Sequence, residues 1–259
     1  MEKNKAMQLF KKALLLVVIL LMASCTFTEN ITIQPDGTGE FSLEMDGSGF
    51  MAMAGDQALK GMNAKENTKS IDSTFSFKQI FEEKKDSIAK LSPEQQLAIK
   101  KLENFVINIK MNPEAKQFLL TMKTPFKSIN ELDDLTETLG ALKDLKGSAD
   151  KKDNPAAMMS GMGINNAKLS FSYNAKSFTR KAIVAKSDIK KTENDSLGMA
   201  KMMFASSKYV LKYHFPKPVK KVSNPDALFS DDRKTITVTY PFTDYTDNPD
   251  KMNLNVEFE

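Results

Sequence analysis

Nucleophilic chemistry in this chain has few residues to draw on: there is one histidine, His214, and one cysteine, Cys25, among 259 residues. A hydrolytic serine or cysteine needs a base beside it, most often histidine. His214 lies in the run Tyr209-Val210-Leu211-Lys212-Tyr213-His214. Period-2 alternation there puts it on the side of Lys212, the side expected to face water. The glycine-flanked serine of Gly47-Ser48-Gly49 reads as a turn. A single histidine cannot supply the clustered imidazoles of a histidine metal site. Asp244, Asp247, Asn248 and Asp250 crowd oxygen donors into one loop. They lack the alternating spacing and central glycine of an EF-hand loop, so a solvated loop is expected. With 33 acidic residues a glycosidase-type acid pair has material, yet no pair stands out. Neither a dinucleotide-type Gly-x-Gly-x-x-Gly nor a phosphate-binding Gly-Lys-Ser/Thr loop occurs. The expectation is a non-enzyme with no catalytic residues, no metal site and no cofactor.

The 16 methionines are less ordinary. They gather as Met51 and Met53, as Met158, Met159 and Met162, and as Met199, Met202 and Met203. Thioethers suit Cu(I), and unbranched methionine lines adaptable apolar grooves. It also simply fills gaps in a core. A core role, a groove for a lipid or other apolar ligand, and copper binding all remain open.

Cys25 has the most defined setting. Lys3, Lys5, Lys11 and Lys12 precede an unbroken apolar run from Ala13 to Met22, ten residues long. That is short of the roughly 20 residues a membrane-spanning helix needs and suits the core of a secretory signal. Small residues follow, and then the cysteine: Leu21-Met22-Ala23-Ser24-Cys25. This segment resembles the lipobox of bacterial lipoproteins, although Met22 stands where leucine is commoner. The resemblance implies removal of residues 1–24, diacylglycerol on the Cys25 thiol, and usually a third acyl chain on the new amine. Two or three chains make a stable anchor where one does not. A lone cysteine leaves no internal disulfide.

The leader carries four lysines and one glutamate, so three of the four formal positive charges leave with it. The remaining near-neutral chain has no compositional basis for nucleic-acid binding. Only Arg180 and Arg233 are arginine, so the bidentate forks that recognise phosphates and carboxylates are scarce.

Several alternating runs must form strands. Ile31 and Ile33 precede Pro35-Asp36-Gly37-Thr38-Gly39, and Phe41, Leu43 and Met45 follow: a hairpin pattern. A second hairpin joins Phe105-Ile107-Ile109 to Phe118-Leu120-Met122 through Asn112-Pro113-Glu114. A third joins Leu169-Phe171-Tyr173 to Phe178–Val184 near Asn174. A fourth pairs Tyr209–Phe215 with Ile236-Val238-Tyr240 across a long loop from Pro216 to Asp232. Leu254, Val256 and Phe258 form a last strand. Helices are expected after Ser76 and Ser92, each with glutamine three residues on, and after Ser128. There Ile129, Leu132, Leu135, Leu139 and Leu142 make one apolar face, with Gly147 as the stop. Further helices are expected near Phe50–Met62 and Leu197–Phe204.

The predicted fold is α+β: an antiparallel sheet built of hairpins, alternating with amphipathic helices packed on one face. The predicted organisation is a removed leader at 1–24, a lipidated tether at 25–30, and a single domain at 31–259 with a flexible loop at 146–163. The Asp36-Gly37-Thr38-Gly39 hairpin and the segment from Phe215-Pro216 to Ser223-Asn224 also resemble parts of other bacterial envelope lipoproteins. That resemblance implies no activity. The functional expectation is a non-catalytic binding or assembly module in the cell envelope, on the periplasmic face of an outer membrane. Its partners would be the membrane, through Cys25, and an envelope protein or apolar ligand. The alternatives are a lipid carrier with a Met-lined groove, a Cu(I) binder, or a carboxylate hydrolase.

Overall fold

The computed structural model describes residues 25–54, 70–133, 168–183 and 206–259. The leader, the loop at 146–163, the helix face from Leu135 to Leu142 with its stop at Gly147, the segment Leu197–Phe204, and the methionines at 158–162 and 199–203 lie outside the described residues.

Twelve strands are described: β1 Thr26–Ile33, β2 Gly39–Asp46, β3 Ile71–Ser76, β4 Val106–Asn112, β5 Gln117–Phe126, β6 Lys168–Tyr173, β7 Ser177–Ile183, β8 Lys208–His214, β9 Val219–Val222, β10 Leu228–Phe229, β11 Thr235–Pro241 and β12 Leu254–Phe258. They form an eight-stranded sheet in the order β10-β11-β8-β1-β2-β5-β4-β3 and a four-stranded sheet in the order β6-β7-β12-β9.

The expected hairpins form. In the β1–β2 turn, Gly37 takes a φ of +85°, open to glycine but strained for other residues. Asp36 Oδ1 accepts from the Thr38 backbone N–H at 3.0 Å and the Thr38 hydroxyl at 2.7 Å. The β4–β5 and β6–β7 pairs are likewise antiparallel. Ser76 and Ser92 each open a helix, Phe77–Glu83 and Pro93–Lys101, with reciprocal capping by Gln79 and Gln95.

Four expectations are corrected. The described residues build two sheets, and the larger one is mixed, because β1 pairs parallel to β8. Among the described residues a second sheet, with few and short helices, lies across part of its inner face. Alternation tells which side chains face inward, but not which strands pair or what covers them. Second, β1 starts at Thr26, so the stretch 26–30 assigned to a tether belongs to the sheet. Third, the Pro216–Asp232 loop contains β9, which crosses into the second sheet beside β12, and β10, which extends the first. Fourth, Ser128 makes no capping bond, and a 3₁₀ turn, Ile129–Leu132, stands where the helix was expected to start. Asp133 is extended there, and its carboxylate accepts from the Phe171 N–H at 2.7 Å. That bond ties the chain to β6.

The core lies between the sheets. Phe178 of β7 meets Tyr213 and Phe215 at ring-centre distances of 5.2 Å each, and Phe215 meets Phe258 of β12 at 4.9 Å. The outer face of the large sheet is polar: Thr28, Asn30 and Thr32 of β1 flank Lys212 and His214 of β8.

Gly39, at the start of β2, admits close backbone approach. A Cβ there would lie 2.1 Å from the Thr32 carbonyl oxygen and 2.3 Å from the Phe126 ring. Gly39→Ala is therefore expected to destabilise the fold by about 1–3 kcal/mol, the usual cost of overpacking. The check is a lower urea midpoint with an unchanged slope.

Candidate functional site

β1 is an interior strand of the large sheet, and its inward residues are Phe27, Glu29, Ile31 and Ile33. Among these apolar neighbours the Glu29 carboxylate is only 1% exposed. Opposite it, on β7 of the second sheet, Arg180 alternates with Phe178 and Ala182 and is also 1% exposed.

The pair is bidentate. Arg180 Nε donates to Glu29 Oε1 at 3.0 Å and Nη2 donates to Oε2 at 3.0 Å. From β8, the Tyr209 hydroxyl donates to Oε2 at 3.0 Å and the Tyr213 hydroxyl to Oε1 at 2.5 Å. Arg180 Nη1 donates to the Met252 carbonyl at 3.2 Å. Burial alone would push the Glu29 carboxyl up. The charge and hydrogen bonds of Arg180, helped by both tyrosines, outweigh it and hold the carboxyl below its usual range. Burial works against the arginine charge, and the carboxylate beside it more than restores it. Burial and the same carboxylate push both tyrosine hydroxyls well up, so they stay protonated donors. This is a closed, mutually satisfied network, which locks two sheets together and offers no reactive group to a substrate.

A second locus lies at the start of β1. The Cys25 carbonyl accepts from the Lys208 N–H at 3.1 Å, which extends the parallel β1–β8 ladder by one step. Cys25 is 5% exposed and Ser207, its neighbour across that ladder, 2%. On the same inner face, Phe27, Leu43, Met45, Leu120, Met122, Tyr209 and Tyr245 line an apolar niche of about 20 Å³, room for roughly one water molecule.

The other residues singled out in the sequence are dispersed. His214 is on the outer face with Lys212, as its alternation predicts, and its Nδ1 lies 2.9 Å from Thr235 Oγ1. Ser48 opens a short helix, Ser48–Ala54, and its hydroxyl accepts from the Phe118 N–H at 3.1 Å. Asp244 pairs with Lys251 at 2.9 Å. Met51 is buried against Met111 and Phe118 in a small satellite core. The methionines at the niche are Met45 and Met122, outside the clusters noted in the sequence. Glu29, placed in a tether on sequence alone, was the residue missed. Its signal was its phase with Phe27 and Ile31, the same phase that Arg180 keeps with Phe178.

No protein-family model and no curated protein matches the chain. Among solved structures, the NMR structure of the folded domain of LppM from Mycobacterium tuberculosis aligns over 91% of this chain and 89% of its own, at 9% identity and a TM-score of 0.37. A likeness of that degree decides nothing about function.

Removing one member of the buried pair strands the other charge. Glu29→Gln or Arg180→Met alone should cost about 3–5 kcal/mol, while Glu29→Leu combined with Arg180→Met should recover most of that loss. Because the folded Glu29 pKa is depressed, its contribution is complete above the ordinary glutamate value of about 4.3. It is lost as pH falls through the lower folded value. Denaturation series between pH 7 and pH 2 should show that acid loss in the parent and not in the double variant.

Proposed function

We propose that the protein is a lipid-anchored, non-catalytic binding or assembly module of a bacterial cell envelope, processed before Cys25 and held by acyl chains on that residue. The leader pattern is the first support. The observation that carries the reading is where Cys25 stands: one residue before an interior strand, with its carbonyl in the ladder. An anchor attached there would hold the sheet close to the membrane. The five residues after Cys25 contain a single acid, Glu29, and that acid is buried; on this basis we assign the periplasmic face of an outer membrane.

Orientation follows from the parallel pairing. β1 and β8 both run away from Cys25, and the far end of β8, six residue steps on, is about 20 Å distant. Beyond it lies an open hollow of about 630 Å³, lined by Lys176, Lys217 and Lys220 with Glu257 and Phe258. This membrane-distal hollow is the described surface best placed to meet an envelope partner. The alternative, a carrier enclosing an apolar ligand, has less support: the niche near Phe27 is about 20 Å³, so a lipid tail would lie over it and not inside it.

Expressed in a host that processes lipoproteins, the full chain should fractionate with membranes, and its intact mass should show loss of residues 1–24 and gain of diacylglycerol. Cys25→Ala should move it to the soluble fraction with no acyl mass. A membrane-bound Cys25→Ala protein would overturn the anchor. Native mass spectrometry of the soluble variant tests the rest: a bare protein mass supports the module, and a retained apolar ligand the carrier.

A further inference from the structure

Burying a hydroxyl without a hydrogen bond costs about 1–3 kcal/mol, so folded proteins rarely leave one so. Among the described residues, Ser207 Oγ is such an atom: buried, with no hydrogen-bond partner. Its backbone carbonyl accepts from the Phe242 N–H at 2.9 Å.

Ladder parity fixes where the hydroxyl sits. In the parallel β1–β8 pairing Phe27 is level with Tyr209 and Thr26 with Lys208. One step back, Cys25 is level with Ser207, and level residues on parallel strands share a face. Phe27 and Tyr209 face inward, two residues along each strand, so Cys25 and Ser207 do too; both are buried. Neighbouring strands are about 4.8 Å apart. The Cys25 and Ser207 side chains therefore leave neighbouring positions on the inner face of the sheet. The apolar niche starts beside them at Phe27 and runs over the half-buried Met45 and Leu43 to Met122.

We infer that the domain seats the glyceride of its own anchor at this sheet end. Ser207 Oγ donates to an ester carbonyl of the diacylglycerol carried on Cys25 Sγ. The first methylenes of one acyl chain lie over Phe27, Met45 and Leu43 before the chain turns into the bilayer. The ester region gives the hydroxyl the partner that the protein does not, and the methylenes cover apolar surface that water would otherwise wet. The inference rests on the lipidation of Cys25 proposed above and goes beyond it, because a cysteine can be acylated without any contact between lipid and fold.

The test uses the full chain, processed in a bacterial host with methyl-labelled methionine and purified in deuterated detergent. Intact mass first establishes acylation. Nuclear Overhauser contacts from the Met45 and Met122 methyls to acyl methylenes are expected in the acylated chain and absent in Cys25→Ser. Ser207→Ala should keep its acyl mass and lose at least about threefold of that intensity. Leu43→Lys, at the half-buried rim, should do the same. An acylated chain without these contacts, or with contacts unchanged in both variants, would overturn the seating and leave the anchor intact. A chain with no acyl mass would overturn the anchor and the seating together.

Discussion

One carboxylate and one guanidinium, both withdrawn from water between two sheets, set the terms for the rest of this structure. Desolvating an ion pair costs several kcal/mol per charge unless geometry and further hydrogen bonds offset it. Here Glu29 receives two bonds from Arg180 and one each from Tyr209 and Tyr213. Those partners come from β7 and β8. A slip of β1 by one residue would turn Glu29 outward and Thr28 inward, leaving the arginine charge unmatched. A two-residue slip would set an apolar side chain against it. The pair thus adds little to net stability and a great deal to uniqueness: it permits one register of β1 and one placement of the small sheet upon the large.

That constraint also bears on function. A buried acid beside tyrosines can suggest catalysis, but here both tyrosine hydroxyls and two guanidinium nitrogens donate to the carboxylate. The tyrosine hydroxyls are held protonated, and the arginine Nη1 donates to the Met252 carbonyl. Such a cluster organises the core. Regions open to partners lie at the two ends of the strands: the Cys25 end with its apolar niche, and the opposite end with its lysine-lined hollow.

Much of the fold was legible in the residues, for identifiable reasons. Asp36-Gly37 marks a turn because glycine accepts positive φ there. Ser76 with Gln79 and Ser92 with Gln95 mark helix starts because each pair satisfies orphan amides locally. Such signals act over a few residues. The parallel β1–β8 pairing joins residues about 180 positions apart, and nothing in either strand alone names the other. Whether a second sheet or a helix layer covers an apolar face is hidden for the same reason, since both present apolar side chains. The site fared worse. An acid in a short polar-looking stretch after a cleavage motif reads as tether, because acids are nearly always solvated. Only its phase with Phe27 and Ile31 argued otherwise, and that phase gains force once an arginine in matching phase on β7 is known to face it. The expected helix start at Ser128 gives way to a tertiary contact: Asp133 gives its carboxylate to β6 and is extended where the apolar period asked for a second turn.

The placement of the anchor strand has a mechanical consequence. Under the proposed attachment, any pull from the membrane enters at Cys25 and runs along β1. That strand is hydrogen-bonded on both sides, to β2 over its whole length and to β8 over nearly all of it. Force along its axis loads both ladders in shear, so many bonds must yield together, whereas an edge strand peeled sideways would give them up one at a time. The same strand carries Glu29, so sliding it would also draw the carboxylate away from Arg180 and leave two charges without partners in an apolar core. β1, the strand at the proposed attachment point, thus combines ladders on both sides with the buried Glu29–Arg180 pair.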